Sequence, residues 1–167
     1  KSVGLNGVGT KAVNALSSKF MVTSYRDGKQ KKAVFNQGIL VDESALLDAS
    51  ESNGTWVYFE PDPDIFRNFR FRKEFIENQL WNYAYLNAGL KLIFNGTTIV
   101  SKNGLLDLLE RKTKNDELRY PIIHLKGEDI ELAITHGNQY GELYYSFVNG
   151  QNTTQGGTHL LAFKDAI

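Results

Sequence analysis

The chain has 167 residues and a mass of 18.8 kDa, the size of one domain or two small ones. Lys+Arg 19 against Asp+Glu 19 gives a formal net charge of zero, which excludes a globally basic nucleic-acid clamp, and the absence of cysteine excludes disulfides, thiolate nucleophiles and cysteine zinc sites. With 41% hydrophobic and 12% aromatic residues the chain can bury a core, and no apolar run approaches the ~20 residues needed to cross a bilayer, so a soluble, cytoplasmic protein without a membrane partner is expected.

In chain order, a glycine-rich turn, Gly4-Leu5-Asn6-Gly7-Val8-Gly9, precedes a helical stretch over residues 10–17. Phe20, Val22 and Tyr25 then mark a strand over 19–26. It is followed by Asp27-Gly28, a pair favoured in type I′ hairpin turns, and a returning strand over 31–35. Residues 41–53 read as polar and irregular, with a short helix at 44–47. Residues 54–59 form a strand that Pro61 and Pro63 stop. Phe71, Phe75, Ile76, Leu80, Tyr83 and Ala84 recur with a helical period over 71–86. A second hairpin runs over 90–100 about Asn95-Gly96, and a short amphipathic helix starts at Leu105. The polar stretch 111–117 is a loop. Three strand-like runs follow at 121–125, 130–136 and 143–148, and a last helix begins near Gly156. The order, β-rich then helix twice over, predicts an α+β protein of two units meeting near Val100.

The glycine turn before a helix carries the clearest chemistry. Glycine permits positive φ and close backbone approach, and a helix N-terminus favours an anion, so such a turn can wrap phosphate oxygens. An ordinary glycine-rich connection is the other reading open at this point. The turn is not a Walker loop, because Lys11 is not part of a Gly-Lys-Ser/Thr triplet, and no strand precedes it as a dinucleotide fingerprint requires. Glu128-Asp129, Asp62 and Asp64 read as turn residues, and His124 and His136 as strand residues. Lys29 to Lys32 reads as a solvated hairpin edge, with contact to DNA the minor alternative.

Two motifs reach further. Gly4-Leu5-Asn6-Gly7-Val8-Gly9 with Val13-Asn14-Ala15-Leu16-Ser17 resembles the ATP lid of the B subunits of bacterial type IIA topoisomerases, DNA gyrase and topoisomerase IV. Their superfamily includes the heat-shock 90 chaperones, histidine kinases and mismatch-repair ATPases. Gln155-Gly156-Gly157-Thr158-His159-Leu160 with Phe163 is similar to the signature of the transducer domain of those topoisomerases. Arg26-Asp27-Gly28-Lys29, residues 54–61 and Tyr85-Leu86-Asn87-Ala88-Gly89 fall between them in the family's order, so the resemblance covers the whole chain.

The resemblance implies a partial ATPase α/β sandwich over residues 1–100, followed over 101–167 by part of a ribosomal-S5-like transducer domain. It implies a role in ATP-driven passage of one DNA duplex through another. The partners would be DNA, a topoisomerase A subunit and a second copy of the ATP-binding subunit, with ATP and Mg2+ as cofactors of the full protein. Nucleotide binding carries onto Gly4, Leu5, Asn6, Gly7, Val8, Gly9 and Thr10. Thr55 would help hold adenine, and Arg26 would stand at the outer edge of the pocket where inhibitors bind. Asn6 replaces the usual His, and Lys11 and Ala12 the usual Ser and Val. The family's catalytic glutamate, its magnesium-binding asparagine and its adenine-reading aspartate precede the lid, and the lysine that reaches the γ-phosphate follows the transducer motif. None of them matches a residue here, so the chain is expected to be a fragment without catalytic or metal-binding residues, inactive alone. A non-enzymatic interaction module, or another ATPase of the superfamily such as a mismatch-repair protein, is the alternative.

Two physical expectations follow. Without the helices that cover the family's ATPase sheet, apolar side chains of the sheet should be left exposed. Without nucleotide, the lid over residues 1–10 should not hold a closed conformation, and the helix should be ordered from about Lys11.

Overall fold

A computed structural model of the chain describes residues 7–167. They divide into two compact units, residues 7–70 and residues 71–167.

The first unit is helix α1 (Val8–Ala15) with strands β1 (Ser17–Arg26), β2 (Lys29–Asn36), β3 (Ile39–Glu43), β4 (Leu47–Asp48) and β5 (Gly54–Pro61). The ten-residue β1 lies between β2 and β5 and is antiparallel to both. Phe20 faces Phe35 and Phe59 across the two ladders, and Val22 faces Ala33 and Val57. Directly opposed residues share a sheet face. Phe20, Val22, Phe35, Val57 and Phe59 therefore line one face, and Met21, Thr23, Val34, Trp56 and Tyr58 the other. Asp27 and Gly28 take φ of 51° and 73°, the left-handed pair a type I′ turn needs.

Within 41–53, read as irregular with a short helix at 44–47, residues 41–43 belong to β3 and 47–48 form β4; no helix forms, and the remaining residues are irregular. Both strands pair with the outer edge of β2, β3 along its end and β4 along its start. Between them, the Ser44 N–H donates to the Lys32 carbonyl at 2.9 Å and the Ser44 hydroxyl accepts the Lys32 N–H at 2.9 Å. An edge strand with unpaired backbone groups recruits neighbouring chain, and this outweighs the local helical pattern.

Asp62, only 3% exposed, fastens the end of the sheet beside α1. Its carboxylate accepts from Gln37 Nε2 at 2.5 Å and from the Asp64 N–H at 2.9 Å. Its own N–H donates to the Leu16 carbonyl at 3.0 Å. At the other edge, Trp56, Val57, Tyr58 and Phe59 of β5 are between 38% and 48% exposed, the uncovered apolar surface expected of this sheet.

The second unit comprises α2 (Lys73–Leu86), β6 (Leu92–Phe94), β7 (Thr97–Ile99), α3 (Leu105–Lys112), β8 (Ile123–Lys126), β9 (Glu131–Ile134), β10 (Phe147–Val148), β11 (Gln151–Asn152) and α4 (Thr158–Ala166). Ala84 and Tyr85 of α2, Ile99 of β7 and Leu108 of α3 are its buried apolar residues. The strands form three separate antiparallel hairpins: β6 with β7, β8 with β9, and β10 with β11. Of the strand expected over 143–148, only Phe147 and Val148 pair, because no strand among the described residues lies against 143–146.

Polar residues set the start of α3. The Asp107 carboxylate accepts from the Ser101 hydroxyl at 2.7 Å, the Lys102 N–H at 2.9 Å, the Asn103 N–H at 3.0 Å and Asn103 Nδ2 at 2.9 Å. Burial pushes its pKa up, but these donors outweigh burial and hold it below the ordinary aspartate range. Glu131 reaches from β9 to accept the Leu105 N–H at 3.1 Å and lies 2.9 Å from His124 Nε2. Here too burial raises the carboxyl, and His124, the Leu105 N–H and the charge of Lys126 together bring it below its ordinary value. Gly104 stands between them at φ 62° and ψ −121°. A Cβ there would lie 2.7 Å from Glu131 Oε1 and 3.2 Å from the Tyr85 carbonyl oxygen.

The glycine pair before α4 has a similar cause. Gly157 takes φ of 152°, and a Cβ on it would meet the His159 ring at 2.9 Å. That ring places Nε2 2.6 Å from Ser146 Oγ, which is also 2.6 Å from Thr153 Oγ1. The motif thus joins α4 to the β10–β11 hairpin.

Gly104→Ala should destabilise the protein by about 2–4 kcal/mol in denaturant unfolding, combining backbone strain with displacement of the Glu131 carboxylate. Because the folded pKa of Glu131 is depressed, the stability it contributes is full above the unfolded glutamate pKa of about 4–5 and is lost as pH falls through the lower folded value. Unfolding measured from pH 7 to pH 3 should show a shallower acid loss in Glu131→Gln than in the parent chain.

Candidate nucleotide-binding site

The candidate residues lie in two places. The first is the start of α1. Gly7 precedes the helix with φ 58° and ψ 26°, and no side chain among the described residues caps it. The helix begins at Val8, not near Lys11: left-handed Gly7 stands before it, and Val8, Gly9 and Thr10 lie in its first turn. The first N–H groups of a helix have no intrahelical acceptor and carry the positive end of its dipole. No atom of the described residues lies within 4 Å of where a Cβ on Gly7 or Gly9 would stand. Uncapped donors beside open space suit an anion such as a phosphate. Gly4, Leu5 and Asn6, the other candidates of this motif, lie outside the described residues.

The second place is the end of the sheet where β1 turns into β2. Ser24 faces Thr55 across the β1–β5 ladder. Ser24, Tyr25, Arg26 and Asp27 from β1 and its turn, with Asn53, Gly54 and Thr55 at the start of β5, line an open cavity of about 460 Å³. Thr55 and Arg26, 29 positions apart in sequence, therefore share one rim. Gly7, Val8, Gly9 and Thr10 do not line this cavity.

The rim is held by Asn53, which the sequence did not single out. The Asp27 N–H donates to Asn53 Oδ1 at 2.8 Å, and Asn53 Nδ2 donates to Asp27 Oδ1 at 3.2 Å. The Arg26–Asp27 ion pair at 3.5 Å is exposed on both sides and adds little. No local pattern could have shown the Asn53 contact, since it joins residues 26 positions apart.

Among the described residues no group of three or more His, Asp or Glu is placed to hold a metal ion, and no helix is long and apolar enough to cross a membrane. His124, Glu131 and Asp107 serve the start of α3, and Asp62 the end of the first sheet.

Residues 102–167 match the family described as DNA gyrase B. The chain is 48% identical over 166 residues to the B subunit of DNA topoisomerase 4 from Borreliella burgdorferi, covering 99% of this chain and 28% of that protein. It is 32% identical to the B subunit of DNA gyrase from Eisenibacter elegans, covering 99% of this chain and 38% of that protein. In structure it is similar to the 43K ATPase domain of Thermus thermophilus gyrase B, solved in complex with an aminocoumarin. The TM-score is 0.80 at 33% identity, over 96% of this chain and 48% of that one. The gyrase B protein from Myxococcus xanthus shares the fold at a TM-score of 0.78. The chain is homologous along its length to the B subunits of bacterial type IIA topoisomerases, and it spans about a quarter to two fifths of the curated relatives named here.

Asn53→Ala removes both bonds that hold the β1–β2 turn to the start of β5. It should cost about 0.5–1.5 kcal/mol of stability and speed hydrogen exchange at the Asp27 amide, with little change at amides in the middle of β1.

Proposed function

We propose that the chain is part of the ATP-binding subunit of a type II DNA topoisomerase, which couples ATP binding and hydrolysis to passage of one DNA duplex through another. The observation that carries this reading is the similarity to topoisomerase B subunits over 99% of the chain. The match of residues 102–167 to DNA gyrase B favours it over a mismatch-repair ATPase or an interaction module.

In this reading the glycine turn from Gly4 to Thr10 cradles the triphosphate through backbone N–H groups. The uncapped start of α1 and the open space beside Gly7 and Gly9 support that role. Thr55 helps hold the adenine and Arg26 stands at the outer edge of the pocket, a placement supported by the rim they share. ATP would enter with Mg2+, and the described residues offer no metal site of their own. In the family the general base and the metal-binding asparagine precede the glycine turn, and neither is assigned to a residue of this chain. The chain alone is taken to be inactive.

An ATPase portion over 1–100 and a transducer portion over 101–167 complete the proposal, supported by the start of the DNA gyrase B match at residue 102. The helix α2 and the β6–β7 hairpin nonetheless share a compact unit with the later segment. The parent protein would act in the cytoplasm on DNA, with the topoisomerase A subunit and a second copy of itself.

Gly9→Ala tests the lid assignment. In the 167-residue chain the added methyl meets open space within a helix, so stability should rise by up to about 1 kcal/mol. In the parent protein assembled with its A subunit, the same methyl should block close approach of the backbone to phosphate. Binding of a non-hydrolysable ATP analogue should weaken about tenfold or more, and ATP-driven strand passage should fall with it. An unchanged affinity for the analogue would sink the assignment.

A further inference from the structure

The lysines of β2 divide between the two faces of the first sheet. Lys29 Nζ sits 2.6 Å from Asp48 Oδ1, and Lys31 is paired with Glu43. Lys32 is exposed and has no carboxylate partner among the described residues. By register Lys32 faces Thr23, and Thr23 faces Trp56 across the other ladder. The three side chains therefore form one row across three strands, on the face away from Ser24 and Thr55.

This row belongs to a cavity of about 440 Å³. Met21 and Tyr25 of β1 and Leu47 of β4 give it apolar surface, and no carboxylate lines it. The Trp56 ring is stacked on the Tyr58 ring, with centroids 6.0 Å apart and 14° between the planes. Tyr58 is held in turn, its hydroxyl donating to Glu60 Oε1 at 2.5 Å. The indole is thus supported from one side, while Trp56 stays 47% exposed.

Thr23 is the buried group that the fold leaves unsatisfied. It is 6% exposed and lines the cavity, yet its hydroxyl has no hydrogen-bond partner among the described residues. The Ser44 hydroxyl beside it differs, since it accepts the Lys32 N–H at 2.9 Å and donates to the Ala45 carbonyl at 2.8 Å. A buried hydroxyl without a partner is costly, and valine would suit the same strand position without that cost. The choice of threonine serves a bound group better than it serves the sheet.

The order of the row selects the ligand. Two strand spacings, about 10 Å, separate its ends. One end offers an aromatic face, the middle a free hydroxyl and the other end an unpaired cation. Apolar walls with a few convergent polar groups are the form of a small-molecule site. We propose that this cavity binds a small aromatic anion, its ring on Trp56 and its carboxylate or phosphate between Lys32 and the donating hydroxyl of Thr23. The site stands whether or not the chain binds ATP.

Equilibrium dialysis of the 167-residue chain against 2-naphthoate, 2-naphthyl phosphate and the uncharged 2-naphthamide tests this. The better of the two anions, which identifies the acid group, should bind with a Kd of about 1 mM or tighter, and the amide at least about tenfold more weakly. Lys32→Gln should weaken the anion at least about fivefold, whereas Lys31→Gln should stay within about twofold. Thr23→Val should weaken it at least about threefold while its unfolding midpoint in denaturant stays equal or rises, a pair of effects that a merely structural threonine would not give. Thr23→Ser keeps the hydroxyl and should bind within about twofold of the parent chain. In the methyl-labelled chain the anion should shift the Thr23 methyl and Trp56 indole N–H signals more than the Thr55 methyl signal. The parent protein assembled with its A subunit should bind the anion within about threefold of the chain, which shows that no other part of the protein covers the cavity. Binding of both anions weaker than about 10 mM, equal affinity for the amide, unchanged affinity in both Lys32→Gln and Thr23→Val, a larger shift at Thr55 than at Thr23, or loss of binding in the parent protein would each overturn the proposal.

Discussion

The first unit depends on β1 being hydrogen-bonded along both edges. Residues 20–26 pair with β2 on one side, and Ser17 with residues 19–25 pair with β5 on the other, and this fixes which side chains share a face. A shift of one residue would move every side chain of a strand to the opposite face. The register places Ser24 against Thr55 and brings Arg26, at the end of β1, to the same rim. Buried Asp62, whose carboxylate accepts from Gln37 and whose N–H donates to the Leu16 carbonyl, holds the opposite end beside α1. One strand thus connects the helix bearing the glycine turn with the cavity bearing Thr55 and Arg26, with a fastening at each end.

The second unit is organised differently. Its strands form short hairpins, and its helix starts are set by polar contacts made across gaps in sequence. At α3 the carboxylates of Asp107 and Glu131 take up backbone and side-chain donors, and Gly104 is the residue that leaves room for Glu131. At α4 the ring of His159 reaches Ser146, and Gly157 leaves room for that ring. In both places glycine is required by a neighbouring side chain as much as by its own φ. This explains why a Gly-Gly-Thr-His run is informative in sequence: its residues are coupled through space to a hairpin that precedes them.

Charge behaves in the same way. Lys29 to Lys32 and the pair Arg72-Lys73 are alike in composition. Only the fold shows that strand pairing brings Asp48 and Glu43 against Lys29 and Lys31, while Arg72 and Lys73 stand at the start of α2 without carboxylate partners among the described residues. The difference lies in neighbours that are distant in sequence.

Much of this protein was determined by its sequence alone. The 3.6-residue recurrence of apolar residues predicts α2, which runs over Lys73–Leu86. Asp27-Gly28 and Asn95-Gly96 specify their turns, since few residue pairs accept left-handed backbone at both positions. The glycine motifs were legible as a family likeness for the same stereochemical reason. Only the tertiary structure decided the rest. β3 and β4 exist because the edge of β2 offers unpaired backbone groups, which no local propensity records. Residues 143–146 look like a strand but pair with no strand among the described residues. Asn53 supports the candidate rim through a contact 26 residues away. Local backbone preference is written residue by residue, whereas pairing, burial and ion partnership belong to residues that only the fold brings together.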